Sequence, residues 1–361
     1  MGNMHLTKRQ ATILFTLFQI GSAFLLIPST LTAIAKQDAW ISVVISVGLF
    51  MLCIPIYIAI ANQLQGKSMH EYLIALLGKW VGSGIMCVFV ICVPILIIIM
   101  TLRNLGDFLT TSIMPETPVE IIYVLMLIAV YLIVRAGIVV IGRSVEILFI
   151  IIPFLFVLNV ASLVPSMKLY NLLPVLEYGW KPVMLASFPL FGFPYLECVV
   201  FLYLVSFLKQ THLWNKAVIH STLISGSMYL VMIIITTAVL SEGVTSNLTY
   251  SSYFVVRSIS IADFIESYEI LITVFWYIAI FFRLSLLLFI SAHGLAEVCR
   301  LQDANPLLIP IVLFTFVMCY WIWPNTSYVI QFIQVYPWYA MVFGIIGPAM
   351  IWLLGRWKVS R

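Results

Sequence analysis

The segment SFPLFGFPYLE, Ser187 to Glu197, brackets Gly192 with two prolines, Pro189 and Pro194, and then supplies an acid, Glu197. It lies inside an apolar run long enough to cross a membrane as a helix. A helix broken there exposes backbone N–H groups at the start of one half and C=O groups at the end of the other. The helix dipole makes the N–H end attractive to anions. A small zwitterion suits such a gap, its carboxylate meeting the N–H end and its ammonium the freed carbonyls. A second interruption, QIGSAFLLIPS, puts Gly21-Ser22-Ala23 in the middle of the first apolar run, with Pro28 beyond. Gly21 and Gly192 would let a ligand approach the backbone, and Phe191, Phe193 and Tyr195 would wall the space. The bland alternative is that Pro189 and Pro194 only kink their helix for packing.

Charges inside apolar runs need a partner or a wet cavity. Glu197 and Arg283 fall at equal depth in their runs. They form either a pair, serving as a structural lock or an inner gate, or Arg283 snorkels to the headgroups through FFRLS. Arg103 and Asp107 are four residues apart, share one helix face, and read as a local pair at the outer mouth.

The elements that carry these residues are membrane helices. Of 361 residues, 63% are hydrophobic and 9% charged, against roughly a quarter charged in a soluble domain. The apolar runs are continuous rather than alternating, which excludes a β-barrel. Ten spans are expected, at about 10–34, 39–61, 82–110, 119–135, 144–164, 183–207, 217–240, 268–292, 307–323 and 337–355. The segment 241–267 is expected to form short surface helices. The N-terminal run is too long for a signal core and reads as an uncleaved first span. With the N-terminus inside, twelve Lys and Arg fall on the inner side and four outside, so both termini are expected in the cytoplasm. The six cysteines and five histidines show no metal-ligand spacing. No phosphate loop or nucleophile elbow occurs, so neither enzymatic activity nor a cofactor or metal is expected, nor a nucleic-acid partner.

The ten spans divide five plus five, into a first repeat of about 10–164 and a second of about 183–355 within one domain, 1–361. Matching Gly and Pro interruptions in the first span of each half point to an inverted-repeat binding site.

Across nearly the whole chain, the ordered set FQIGSAFLLIPS (18–29), AKQDAWIS (35–42), SMHEYLIALLGKWVGSGI (68–85), LRNLGDFLTTSIMPETP (102–118) and FPLFGFPYLE (188–197) resembles one family. It is that of the B subunits of the nutrient germinant receptors of spore-forming bacteria, an offshoot of the amino acid–polyamine–organocation transporters. The resemblance implies an all-α, LeuT-like 5+5 fold with discontinuous spans 1 and 6, in the spore inner membrane. It implies binding of a small nutrient germinant, typically an L-amino acid, and action alongside an A subunit and a lipoprotein C subunit. By the family pattern the pocket is lined by Gly21, Ser22, Ala23, Ile97, Thr101, Leu190, Phe191, Gly192, Phe193, Tyr277, Phe281 and Leu284. One departure stands out. Many relatives read Gly-Ala-Gly at the first break, whereas Gly21-Ser22-Ala23 here removes one point of backbone freedom and gives no ground for L-alanine in particular.

Three functions share this fold: a ligand-sensing receptor subunit, a stand-alone proton- or sodium-coupled amino acid transporter, and a structural or channel-forming subunit with a vestigial pocket. Against sodium coupling, span 8 offers a single serine, Ser285, beside an arginine. Span 5 lacks a mid-depth lysine, while Glu197 remains able to carry a proton.

Overall fold

A computed structural model describes residues 5–148, 151–258, 269–325 and 327–359. Helix α1 (Lys8–Ile20) starts at a capping box in which Thr7 and Gln10 bond reciprocally, satisfying two N-terminal donors. It is followed, after Gly21 and Ser22, by α2 (Ala23–Ala35). Helix α3 (Ala39–Leu64) leads to the short α4 (Met69–Leu77), whose start is set by a second capping box between Ser68 and Glu71. Helix α5 (Lys79–Val90) runs through a π turn at Ile91–Ile95 into α6 (Leu96–Ser112). Helices α7 (Val119–Arg135), α8 (Ile138–Leu148) and α9 (Ile151–Leu163) complete the first half.

The second half opens with α10 (Trp180–Leu190), a π turn over Phe191–Tyr195 and a 3₁₀-wound segment, Leu196–Phe207. Helix α11 (Thr211–Asn247) turns at Ser241, where φ is 68°, and α12 (Ser251–Arg257) follows. Of the short surface helices expected over 241–267, the described part differs: 241–247 is the end of α11, and α12 is largely enclosed, with Ser251, Ser252, Tyr253, Val255 and Val256 buried; 259–268 lie outside the described residues. Helices α13 (Glu269–Cys299), α14 (Asn305–Met318), α15 (Ser327–Met341) and α16 (Gly347–Val359) end the chain.

Among the described residues, seven helical stretches are long and apolar enough to cross a membrane, which makes this an all-α integral membrane protein. Seven is fewer than the ten spans expected, and the difference has a physical origin. The first expected span is divided at Gly21 into two helices of 13 residues, and α7 and α14 have 17 and 14. At 1.5 Å per residue none of the four alone reaches across about 30 Å of hydrocarbon.

The most enclosed stretches are those that meet at the centre. Helix α1 packs on α11 and α13, and α10 packs on α2 and α3. Helices α3 and α10 are tied by Ser42 and Ser46, whose hydroxyls donate to the carbonyls of Val183 (2.9 Å) and Ser187 (2.7 Å). Small hydroxyl residues let the two helices approach closely while satisfying each other in an apolar setting. The chain start is pinned as well, with Leu6 N–H donating to Phe207 O at 2.9 Å.

Candidate functional site

The first break is built by the end of α1. Its last four carbonyls are those left without a partner inside the helix, and each meets a donor. Gly21 N–H reaches Leu17 O at 2.9 Å. Arg283 Nη1 donates to Phe18 O at 2.7 Å. The Tyr229 hydroxyl of α11 donates to Gln19 O at 2.7 Å and lies 3.2 Å from Ile20 O. The Gln19 side chain is equally tied: its amide donates to Thr222 Oγ1 (3.2 Å) and Cys198 Sγ (3.3 Å), and its oxygen accepts from Ser225 Oγ (2.7 Å). The opposite end of the gap is different. Ser22 precedes α2 without capping it, and its buried hydroxyl has no hydrogen-bond partner.

The second break sits between α10 and the 3₁₀ segment. Phe193 leaves the helix there with φ −129° and ψ 107°, an extended conformation between helical neighbours. Glu197 follows one turn later and is buried.

Arg283, on α13, joins the two breaks. Its side chain is fully buried and Nη2 forms an ion pair with Glu197 Oε2. Nε lies 3.3 Å from Thr101 Oγ1 of α6. The guanidinium carbon sits 4.4 Å from the Phe18 ring centre and 5.7 Å from that of Phe193. The second Glu197 oxygen accepts from the Tyr336 hydroxyl of α15 at 2.7 Å. Residues from α1, α6, α13, α15 and the second break thus converge on one charge pair. Burying two charges is costly, and what sustains them is mutual neutralisation with the remaining donors and acceptors filled.

At each of the two glycines, the side on which a Cβ would stand is taken by protein. A Cβ on Gly21 would lie 2.5 Å from Arg283 Cδ, and a Cβ on Gly192 would lie 2.6 Å from Pro337 Cα. Ile97, Leu190, Phe191, Phe193 and Leu284 are buried. Tyr277 and Phe281 are only half-buried, while Trp276, Ile280 and Arg283 are enclosed. Of the three residues expected from α13, Leu284 is therefore enclosed, while Tyr277 and Phe281 lie toward the edge of the buried face. Arg103 and Asp107 pair at 3.0 Å away from this centre, with Trp323 Nε1 3.3 Å from the second Asp107 oxygen.

Gln19, Ser225, Tyr229 and Tyr336 escaped sequence reasoning. A glutamine beside Gly21 in an otherwise apolar run was a usable signal for the first. The tyrosines carried none, since tyrosine is ordinary in such helices. No group of three metal-ligating side chains occurs among the described residues.

The sequence profile of the family described as spore germination protein matches residues 5–327. The chain belongs to the spore germination protein family. Among Bacillus subtilis (strain 168) members it is 24% identical to spore germination protein KB, covering all of this chain and 97% of that protein. It is 26% identical to spore germination protein YndE over 85% of each chain, and 24% identical to spore germination protein XB of Bacillus anthracis over 78% of each. The fold of this spore germination protein is that of a Na+-coupled sialic acid symporter solved in a substrate-bound outward-open state. The TM-score is 0.67 at 11% identity, covering 96% of this chain and 80% of that one. A LeuT-like architecture is therefore shared with a transporter.

Proposed function

We propose that this protein is the nutrient-binding B subunit of a spore germinant receptor, taking a small nutrient, an L-amino acid by expectation, between the two broken helices. The observation that carries this reading is the asymmetry of the first break. The carbonyl end of α1 is satisfied by Arg283 and Tyr229, whereas the N–H end of α2 has Ser22 with a buried, unpartnered hydroxyl. A carboxylate is the natural partner for a helix N-terminus with a free hydroxyl donor. The lining is drawn from Gly21, Ser22 and Ala23, from Ile97 and Thr101, from Leu190 through Phe193, and from α13.

The reading includes a ten-span, 5+5 inverted-repeat arrangement in which α1 with α2, and α10 with Leu196–Phe207, are the discontinuous spans 1 and 6. It places the protein in the spore inner membrane with both termini cytoplasmic, acting with A and C subunits. Ligand would shift an open–closed equilibrium only by its differential affinity for the two states. The apolar walls favour a small or apolar side chain, and a hydrophobic pocket separates neighbours by only about 1–3 kcal/mol per methylene.

The test is a thermal-shift screen of the purified full chain against the common L-amino acids, with Ser22→Val in parallel. Stabilisation by one or a few of them, lost in Ser22→Val, is expected. A chain that responds to none of them, alone or with partner subunits, overturns the amino acid reading. The second reading, a coupled transporter, is favoured by the fold shared with a symporter. Concentrative uptake by the isolated chain in vesicles would carry it over the sensor.

A further inference from the structure

Gly347, Ile351, Gly355 and Lys358 are spaced by four, four and three residues on α16, so they share one helix face. The first two line an apolar groove of 470 Å³ opposite Val81, Ile85 and Val88 of α5. Those three side chains are exposed, so the groove opens to the hydrocarbon around the bundle. The next two, Gly355 and Lys358, line a polar pocket of 560 Å³ with Asn62, Gln63, Lys67 and Tyr72. Helix α4 stands between the cavities, giving Leu73 to the groove and Tyr72 to the pocket.

The polar pocket carries the cations Lys67, Arg356 and Lys358 and no acidic side chain among its lining residues. Two of them are held in place. Lys358 Nζ donates to Ala75 O at 2.5 Å, at the carbonyl end of α4, and Arg356 lies 5.5 Å from the Trp352 ring centre. The wall is built too: the Tyr72 hydroxyl donates to Gln63 Oε1 at 2.7 Å, and Gly355 lacks the side chain that would collide with both. Trp80 and Trp357 flank this end, 86% and 59% exposed. Indole rings with an apolar body and a polar N–H favour the membrane–water boundary, which sets the pocket at headgroup depth and the groove at acyl-chain depth.

We infer that this face of α16 binds an anionic phospholipid, its phosphate against Lys67, Arg356 and Lys358 and an acyl chain along Gly347 and Ile351. Three cations without a carboxylate complement a phosphodiester, and basic pockets between membrane helices are suited to anionic headgroups. The groove alone would admit any apolar occupant. Its alignment with a cationic pocket on one helix face selects a molecule with a negative head and a long apolar tail.

The experiment uses the full chain in neutral detergent and counts bound lipid by native mass spectrometry, with phosphatidylglycerol, phosphatidylcholine and soluble glycerol 3-phosphate as probes. Phosphatidylglycerol should bind in preference to phosphatidylcholine. The preference should fall about fivefold for each of Lys67→Gln and Arg356→Gln, variants that leave the Lys358 bond to α4 in place. Lys168→Gln with Lys181→Gln, cations remote from the pocket, should retain it. Gly84→Phe, at a position where a Cβ meets nothing within 4 Å, should obstruct the groove and weaken binding of a full-length lipid. Equal binding of the two lipids, an unchanged preference in Lys67→Gln/Arg356→Gln, or equal loss in the remote variant would overturn the proposal. Equal competition by glycerol 3-phosphate would assign the pocket to free phosphate instead, and full binding by Gly84→Phe would overturn the acyl-chain half.

Discussion

Arg283 occupies the space that any side chain at position 21 would need: a Cβ on Gly21 would stand 2.5 Å from Arg283 Cδ and 3.3 Å from its Nε. The glycine at the first break is therefore a packing partner of a buried cation. Its missing Cβ allows the guanidinium to reach Phe18 O, the Phe18 ring and Glu197 together.

Gly21→Ala should consequently destabilise the protein by about 1–3 kcal/mol, the range for forcing extra volume into a well-packed site. Thermal denaturation of the purified chain reads this directly. The cost should largely disappear in an Arg283→Ala background, where the obstructing methylene is gone. An equal cost in both backgrounds would mean that the two residues do not meet.

Truncating one side of the buried ion pair leaves an uncompensated charge, so Glu197→Gln and Arg283→Gln should each cost about 3–5 kcal/mol. The double variant should cost well under their sum, because neither charge then remains alone. Tyr336→Phe removes one donor to Glu197 and should cost about 1.5–3 kcal/mol, the range for hydrogen bonds to charged groups. Strict additivity of the two charge variants in denaturation midpoints would dismiss direct coupling.

Tyr229 satisfies the last carbonyls of α1 from a helix far away in sequence. Tyr229→Phe leaves Gln19 O and Ile20 O without their donor and should cost about 1–3 kcal/mol. Hydrogen exchange should accelerate in the last turn of α1 more than in α3. Uniform acceleration across the bundle would instead indicate global loosening.

The breaks were legible in the sequence because glycine and proline are poor residues for a helix that must satisfy its own backbone in lipid. Glu197 and Arg283 were legible because charge at that depth is costly enough to demand a reason. What fills the breaks was not legible. Gly192 lies against Pro337, which is 145 positions further along the chain, and nothing local marks that contact. Span length misled in the other direction: α7 coincides with its expected run of 119–135 but at 17 residues falls short of the hydrocarbon thickness, and α14 stops at Met318, short of the expected 307–323.

The Gly192 contact makes its own prediction. Gly192→Ala should cost about 1–3 kcal/mol, since the obstructing atom is backbone and cannot swing aside. Gly48, in the interior of α3 where an added Cβ would meet nothing within 4 Å, is the matched control. Gly48→Ala should stabilise by about 0.5–1 kcal/mol through helix propensity. Equal effects at the two positions in thermal denaturation would discount the Pro337 contact.

His70 gives the acid limb of the stability profile a specific shape. It lies on α4, outside the long apolar stretches, with Nε2 2.9 Å from Ser83 Oγ and Nδ1 4.0 Å from Glu297. Burial, and then the charge of Arg300, hold its pKa below the ordinary 6.5, with Glu71 opposing. A histidine that is harder to protonate folded than unfolded binds fewer protons in the native state, so stability rises with pH through this window. The contribution is present above about 6.5 and is lost as pH falls from there through the lower folded value. His70→Gln, which keeps a polar group opposite Ser83 but does not titrate, should flatten the decline in melting temperature below pH 6.5 while leaving the neutral-pH value little changed. An unaltered acid limb in this variant would assign the decline to other groups.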